Sequence, residues 1–329
     1  MRVRGVIEGF YGPPWSHAER LDLIAFCGRY GLNLWVHAPK DDPFHRKLWR
    51  EPYPDDELER LAELAGEAGR HGVGFAWAIA PGLSIRAGDE SELEALDAKR
   101  DQLRSAGVRT VQLLWDDIEP EPVSAEAQAE ISNSFARGEP LVVCPMGYAG
   151  TARTPYRDAF GSLLDPQIVV YWTGAEVVPQ AISRQDLDDA ADALDHELLL
   201  WDNYPVNDFD TERLFLGPLR GRDARLADGR LAGIVANGML QAVPSKLALA
   251  TVAEWAREPA AYDPVASYER ALREHGTEVV EALRRLGPSG TWPGSDPGHV
   301  RPDDVAALIE ALAPGVDAAT GLALLEPFA

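Results

Sequence analysis

Two adjacent carboxylates end an apolar run in Leu113-Leu114-Trp115-Asp116-Asp117-Ile118. Neighbouring residues of a strand face opposite ways, but that alternation relaxes where the strand stops, so both acids can face one site. Like charges this close push their proton affinities apart, which lets one group act as an acid while the other stays an anion. An exposed acidic loop, a helix cap or a divalent-metal site would use the same residues. A second cluster, Trp201-Asp202-Asn203-Tyr204 followed by Asn207-Asp208, sets aromatic rings beside amides and carboxylates. Rings cover the apolar face of a sugar and polar groups bind its hydroxyls, although an Asx-rich turn has the same composition. In Ala38-Pro39-Lys40-Asp41-Asp42, Lys40 can donate to a hydroxyl or pair with a surface acid.

Other chemistries find less support. The seven histidines have no metal-ligand spacing: His37 and His45 are eight apart, and no His-Glu-x-x-His occurs. Neither a nucleophile elbow nor a phosphate loop is present. The two cysteines, Cys27 and Cys144, are too few for a disulfide framework, and Cys144 reads as a small packing residue. A formal net charge of -22 repels phosphate backbones and anionic lipid, so neither nucleic acid nor membrane is an expected partner. No apolar run reaches the ~20 residues needed to cross a bilayer. The N-terminus reads as a strand rather than a secretory signal, so a cytoplasmic location is expected.

The elements that must position these groups alternate between β and α. Strands are expected at Val3 to Phe10, Leu32 to Ala38, Val73 to Ala80, Val108 to Trp115, Leu141 to Cys144, Ile168 to Trp172, Leu198 to Trp201 and Leu231 to Ala236. Helices are expected from about Ser16, over Asp55 to His71 with Asp55 or Asp56 as cap, and over Ser91 to Ala106 with Gly107 as the stop. Between the seventh and eighth strands, around Thr211 to Asp228, glycine and arginine dominate and the connection is the least defined. Eight β-α alternations demand parallel pairing. Polar residues end nearly every strand (Glu8, Lys40, Asp116, Tyr148, Thr173, Asp202, Asn237), and a barrel brings all strand ends to one mouth. No glycine-rich dinucleotide fingerprint favours an open sheet. The expected fold is therefore a (β/α)8 TIM barrel over residues 1–259 with a C-terminal helical appendage over 260–329. Helices are expected there at Pro264 to His275, Glu278 to Leu286 and Pro302 to Ala313, with a loop at Gly287 to Gly298.

Several segments together resemble one family. Gly5-Val6-Ile7-Glu8-Gly9-Phe10-Tyr11-Gly12 with Pro14-Trp15, Ala38-Pro39-Lys40-Asp41-Asp42, Pro81-Gly82-Leu83, Trp115-Asp116-Asp117-Ile118, Trp172-Thr173-Gly174, Trp201-Asp202-Asn203 with Asn207-Asp208, and Leu214-Phe215-Leu216-Gly217-Pro218 are similar, in order, to the signatures of glycoside hydrolase family 84. This is the family of the O-GlcNAcases and the bacterial so-called hyaluronidases. The chain departs from it at Asn237-Gly238, where Asn-Pro is common, and at Met146-Gly147 before Tyr148.

The resemblance implies retaining hydrolysis of terminal β-linked GlcNAc on a glycoconjugate, assisted by the substrate's own acetamido group and passing through an oxazoline, with no cofactor. It casts Asp116 as the anion holding the acetamido N–H and Asp117 as the general acid, then base. It implies that Gly9, Lys40, Asn203, Asp208 and Asn237 bind the sugar and that Tyr148 donates to the acetamido oxygen. Cys144, Thr173, Val177 and Trp201 would surround the acetamido methyl, and Glu8 would be structural support. Two other readings compete: a non-catalytic N-acetylhexosamine-binding protein, and a divalent-metal hydrolase on the same barrel.

Overall fold

The computed structural model describes residues 1–118, 123–211 and 213–273. Eight strands, β1 (Val3–Glu8), β2 (Leu34–His37), β3 (Gly74–Ile79), β4 (Thr110–Leu114), β5 (Val142–Cys144), β6 (Val169–Trp172), β7 (Leu198–Asp202) and β8 (Leu231–Asn237), pair in parallel with their sequence neighbours. β1 also pairs with β8, from Val3 opposite Gly233 to Ile7 opposite Asn237, which closes the barrel. The helices are α1 (His17–Tyr30), α2 (Asp55–Arg70), α3 (Glu90–Ser105), α4 (Ala125–Ala136), α5 (Pro155–Leu163), α6 (Arg184–Leu194), α7 (Ala242–Arg257) and α8 (Pro264–Leu272). This is the expected (β/α)8 barrel, and each expected strand is present: β1 to β6 are a residue or two shorter at their ends, while β7 and β8 each run one residue further.

Local chemistry sets the helix ends. Ser16 caps α1 in a reciprocal box with Glu19, and Gly31 ends it in the left-handed conformation. The cap expected for α2 is corrected. Pro54 occupies the cap position and makes no side-chain bond there, while Asp55, Asp56 and Glu57 lie in the first turn. There they face the positive end of the helix dipole, so they help the helix start without capping it. Among the described residues between β7 and β8 there is no α-helix, and the one helical piece is a 3-10 turn at Ala224–Asp228. This connection instead buries Leu214, Phe215, Leu216 and Leu219, and is tied down by Tyr204 O–H donating to the Gly217 carbonyl and Thr251 Oγ1 accepting from Leu219 N–H.

Strand alternation divides the core in two. Ile7, Val36, Ala76, Ala78, Leu114, Cys144, Tyr171, Leu199 and Val235 fill the barrel interior. Val6, Trp35, Trp77, Leu113, Val143, Val170, Leu200 and Ile234 face the helices. Beyond the barrel, α8 packs on α7 through an Arg270–Glu254 ion pair, and Tyr262 O–H donates to the Leu219 carbonyl at 2.8 Å. The expected helices at Glu278 to Leu286 and Pro302 to Ala313, and the loop at Gly287 to Gly298, lie outside the described residues.

Candidate active site

Continuing the interior alternation past the strand ends predicts which residues meet at the mouth. The inward series of β1, β2, β4, β6, β7 and β8 runs on to Gly9, Lys40, Asp116, Thr173, Trp201 with Asn203, and Asn237, and Cys144 ends β5. All of them line one cavity of about 210 Å³, together with Asp117, Tyr148, Val177 and Asp208. The twelve candidates named from the sequence are thus gathered at the C-terminal end of the barrel, where such folds place their sites.

Asp116 is buried and forms an ion pair with the equally buried Lys40. Burial alone would push the Asp116 carboxyl up, but the Lys40 ammonium overrides it and holds the group below its ordinary value. Lys40 shows the mirror effect: burial pulls it down, and Asp116 lifts it above the usual lysine range. Only one Asp116 oxygen is used. Its Oδ1 is buried and accepts no hydrogen bond among the described residues.

Asp117 breaks the alternation. By parity it would point outward, toward the helices, but its backbone takes φ = 53°. That left-handed conformation is costly for a residue other than glycine, and it turns the side chain into the mouth. There Tyr11 O–H donates to Oδ2 and Tyr148 O–H to Oδ1, both at 2.8 Å. Lys40 Nζ is 3.9 Å from Oδ2. Arg46 donates from Nη2 to the Asp117 carbonyl at 2.9 Å and from Nη1 to the Tyr11 oxygen at 2.8 Å. The Asp117 side chain is 33% exposed against 6% for Asp116, so one acid is sealed and its neighbour is accessible.

The remaining candidates form the wall. Asn237 accepts from Gly9 N–H at 3.1 Å and donates to Asn203 Oδ1 at 3.1 Å, and Asn203 donates to the Val177 carbonyl at 2.8 Å. Asp208 accepts from Tyr11 N–H at 2.9 Å, and burial raises its carboxyl above the ordinary value. Trp201 packs against Gly9 so closely that a Cβ there would lie 2.4 Å from the ring. Thr173 Oγ1 donates to the Glu176 carbonyl, and the buried Cys144 is a free thiol.

Two strand-end acids point the other way. Glu8 is fully buried, paired twice with Arg20 and accepting from Trp15 N–H. Asp202 accepts two hydrogen bonds from the Nε and Nη2 edge of the Arg222 guanidinium. The structure also adds residues that were not among the candidates. Tyr11, Val178, Val206 and Phe209 line the cavity, and Arg46 supports it from behind. Tyr11 lies in the Gly5–Gly12 segment, where an aromatic just past a strand end is the available signal. Nothing in the sequence linked Arg46 to Asp117, 71 positions away. Among the described residues, no group of His, Cys, Asp or Glu is arranged to hold a metal ion.

A closed parallel barrel with a paired-acid, aromatic-walled hollow at its mouth has the layout of a glycoside hydrolase. More narrowly, the chain belongs to the β-N-acetylglucosaminidase family, whose model matches residues 4–287. It is 36% identical over 270 residues to the proteins named Protein O-GlcNAcase of Rattus norvegicus and Mus musculus. That match covers 76% of this chain but 29% of each relative, so the chain spans under a third of their length. Among solved structures it resembles CpGH84B, with a TM-score of 0.90 and 30% identity over 99% of this chain and 65% of the other. It also resembles a mutant of the Thermobaculum terrenum O-GlcNAc hydrolase, with a TM-score of 0.87 and 32% identity over 99% of this chain and 75% of that one. No helix among the described residues is long and apolar enough to cross a membrane.

Proposed function

We propose that the protein is a retaining exo-β-N-acetylglucosaminidase, O-GlcNAcase-like, that removes terminal β-linked GlcNAc from a glycoconjugate by substrate-assisted catalysis. The observation that carries this reading is the unequal pair: Asp116 sealed by Lys40 with Oδ1 unused, beside Asp117, which is partly open. The sealed anion suits the acetamido N–H and the positive charge that develops as the acetamido oxygen bonds to the anomeric carbon. In the same step the bond from that carbon to the leaving oxygen breaks, its electron pair goes to that oxygen, and Asp117 supplies the proton. Water then attacks the anomeric carbon, gives its proton to Asp117 and reopens the oxazoline.

The wall residues divide the rest of the sugar. Tyr148 is positioned to exchange its bond with Asp117 for one to the acetamido oxygen. Gly9, Lys40, Asn203, Asp208 and Asn237 meet hydroxyls, while Cys144, Thr173, Val177 and Trp201 surround the acetamido methyl. The barrel, residues 1–259, carries this chemistry, with α8 packed beside it. A cytoplasmic setting fits two buried, unpaired cysteines.

Asp117→Asn tests the assignment. Turnover of a substrate with a poor leaving group should fall about 10²–10⁴-fold, and an activated aryl glycoside should lose much less because it needs little protonation. Equal losses on both would remove Asp117 from the acid role.

A further inference from the structure

We propose that Arg46 is a positioning residue for Asp117: through Tyr11 it makes Oδ2 a permanent acceptor, and so reserves Oδ1 as the oxygen that carries the transferable proton. This rests on the glycosidase reading and goes a step further, because it assigns the proton to one atom.

The argument is one of hydrogen-bond polarity. A guanidinium has five donors and no acceptor. Where Arg46 Nη1 meets the Tyr11 oxygen at 2.8 Å, the phenol must accept. Its single proton is then free to point only at Asp117 Oδ2, 2.8 Å away. The sense of the Arg46–Tyr11–Asp117 chain is therefore fixed. Lys40, 3.9 Å from the same oxygen, reinforces it. Oδ1 faces Tyr148 alone, whose hydroxyl makes no other hydrogen bond among the described residues. When that hydroxyl leaves for the acetamido oxygen, Oδ1 loses its donor and takes up a proton from solvent, while Oδ2 keeps its own donor. The proton then passes from Oδ1 to the glycosidic oxygen as the carbon–oxygen bond breaks, and the attacking water returns one to Oδ1.

Arg46 also steadies the backbone. Its Nη2 binds the carbonyl of Asp117, the residue at φ = 53°. Arg46 is itself buried on a segment pinned by Asp42, whose Oδ1 accepts from Phe44 N–H at 2.8 Å and His45 N–H at 3.3 Å. Ala80 N–H donates to the His45 carbonyl at 2.9 Å, joining the segment to the end of β3. The strained turn is thus held from a neighbouring loop.

A series of aryl β-GlcNAc substrates of graded leaving-group ability, measured on the full chain, tests this. Arg46→Met and Tyr11→Phe should each lower kcat about 10–10²-fold for the poorest leaving group. The most activated one should change little, and KM should hardly move. Arg46→Lys should recover part of the loss, since an ammonium can reach one of the two acceptors but lacks the fork for both. Tyr11→Phe keeps the ring and the fold, so it decides the question if Arg46→Met proves unstable. Equal losses across the series in Tyr11→Phe, or wild-type rates on the poorest leaving group, overturn the proposal. If Asp117→Asn behaves as a lost acid while these variants do not, the clamp alone fails. A wild-type chain inert on every β-GlcNAc substrate would end the glycosidase reading with it.

Discussion

Glu8 at the end of β1 and Asp116 just past β4 are both buried carboxylates, yet their surroundings are opposite. Glu8 sits on the outward side of its strand and has all it needs: two bonds from Arg20 and one from the Trp15 backbone. Asp116 sits on the inward side with a single cation on one oxygen and, among the described residues, nothing on the other. A satisfied buried acid fixes geometry, because any movement strands its partners. An acid with an unused buried oxygen carries a desolvation cost that only an incoming donor relieves. For Glu8 and Asp116, strand parity decides which of these two fates each meets.

Three substitutions probe that contrast. Asp116→Asn should have the largest effect, lowering kcat about 10²–10³-fold. Unlike Asp117→Asn, it should do so for activated and poor leaving groups alike, since both need the anion beside the acetamido group. A loss confined to poor leaving groups would erase the distinction between the two acids. Glu8→Gln should act on stability, costing about 2–3 kcal/mol by denaturant titration as Arg20 loses its anion. Turnover per folded molecule should stay close to wild type, and a catalytic loss without a stability loss would place Glu8 on the working side.

The smallest effect is expected at His45, a third buried titratable group. Its Nδ1 lies 2.6 Å from the Ala78 carbonyl and its Nε2 has no partner among the described residues. Burial, with the Lys40 charge adding to it, lowers the imidazole from 6.5 to about 4. Between those values the unfolded chain binds more protons than the folded one. The stability from neutral His45 is therefore whole above about pH 6.5 and is lost as pH falls through about 4. His45→Gln should flatten stability against pH in that window by about 1.4 kcal/mol per pH unit. An unchanged slope would mean His45 titrates normally.

The barrel was legible because every strand is an apolar run bounded by turn residues, and alternation with helices leaves parallel pairing as the solution. The connection before β8 was not. Its glycines and arginines hide a buried stretch around Phe215 that packs without regular structure. The α2 cap was misplaced because Asp55 and Asp56 are favoured both at a cap and in a first turn, and composition does not separate the two. For the site, parity and motif gathered the wall residues, since these lie on or just past strands. Arg46 escaped because it reaches Asp117 through a loop–loop contact, which leaves no periodic trace. The sequence also named Tyr148 for the acetamido group without revealing its bond to Asp117.

Among the described residues that line the mouth, Asp117 is the one non-glycine with a left-handed backbone, and that torsion turns it out of its strand's left-right rhythm. A designer who copied both aspartates onto another eight-stranded scaffold would obtain one useful acid and one buried among the surrounding helices. The transferable unit is a bent main chain with an arginine braced against it. Catalysis of this kind is written into φ before it is written into side chains.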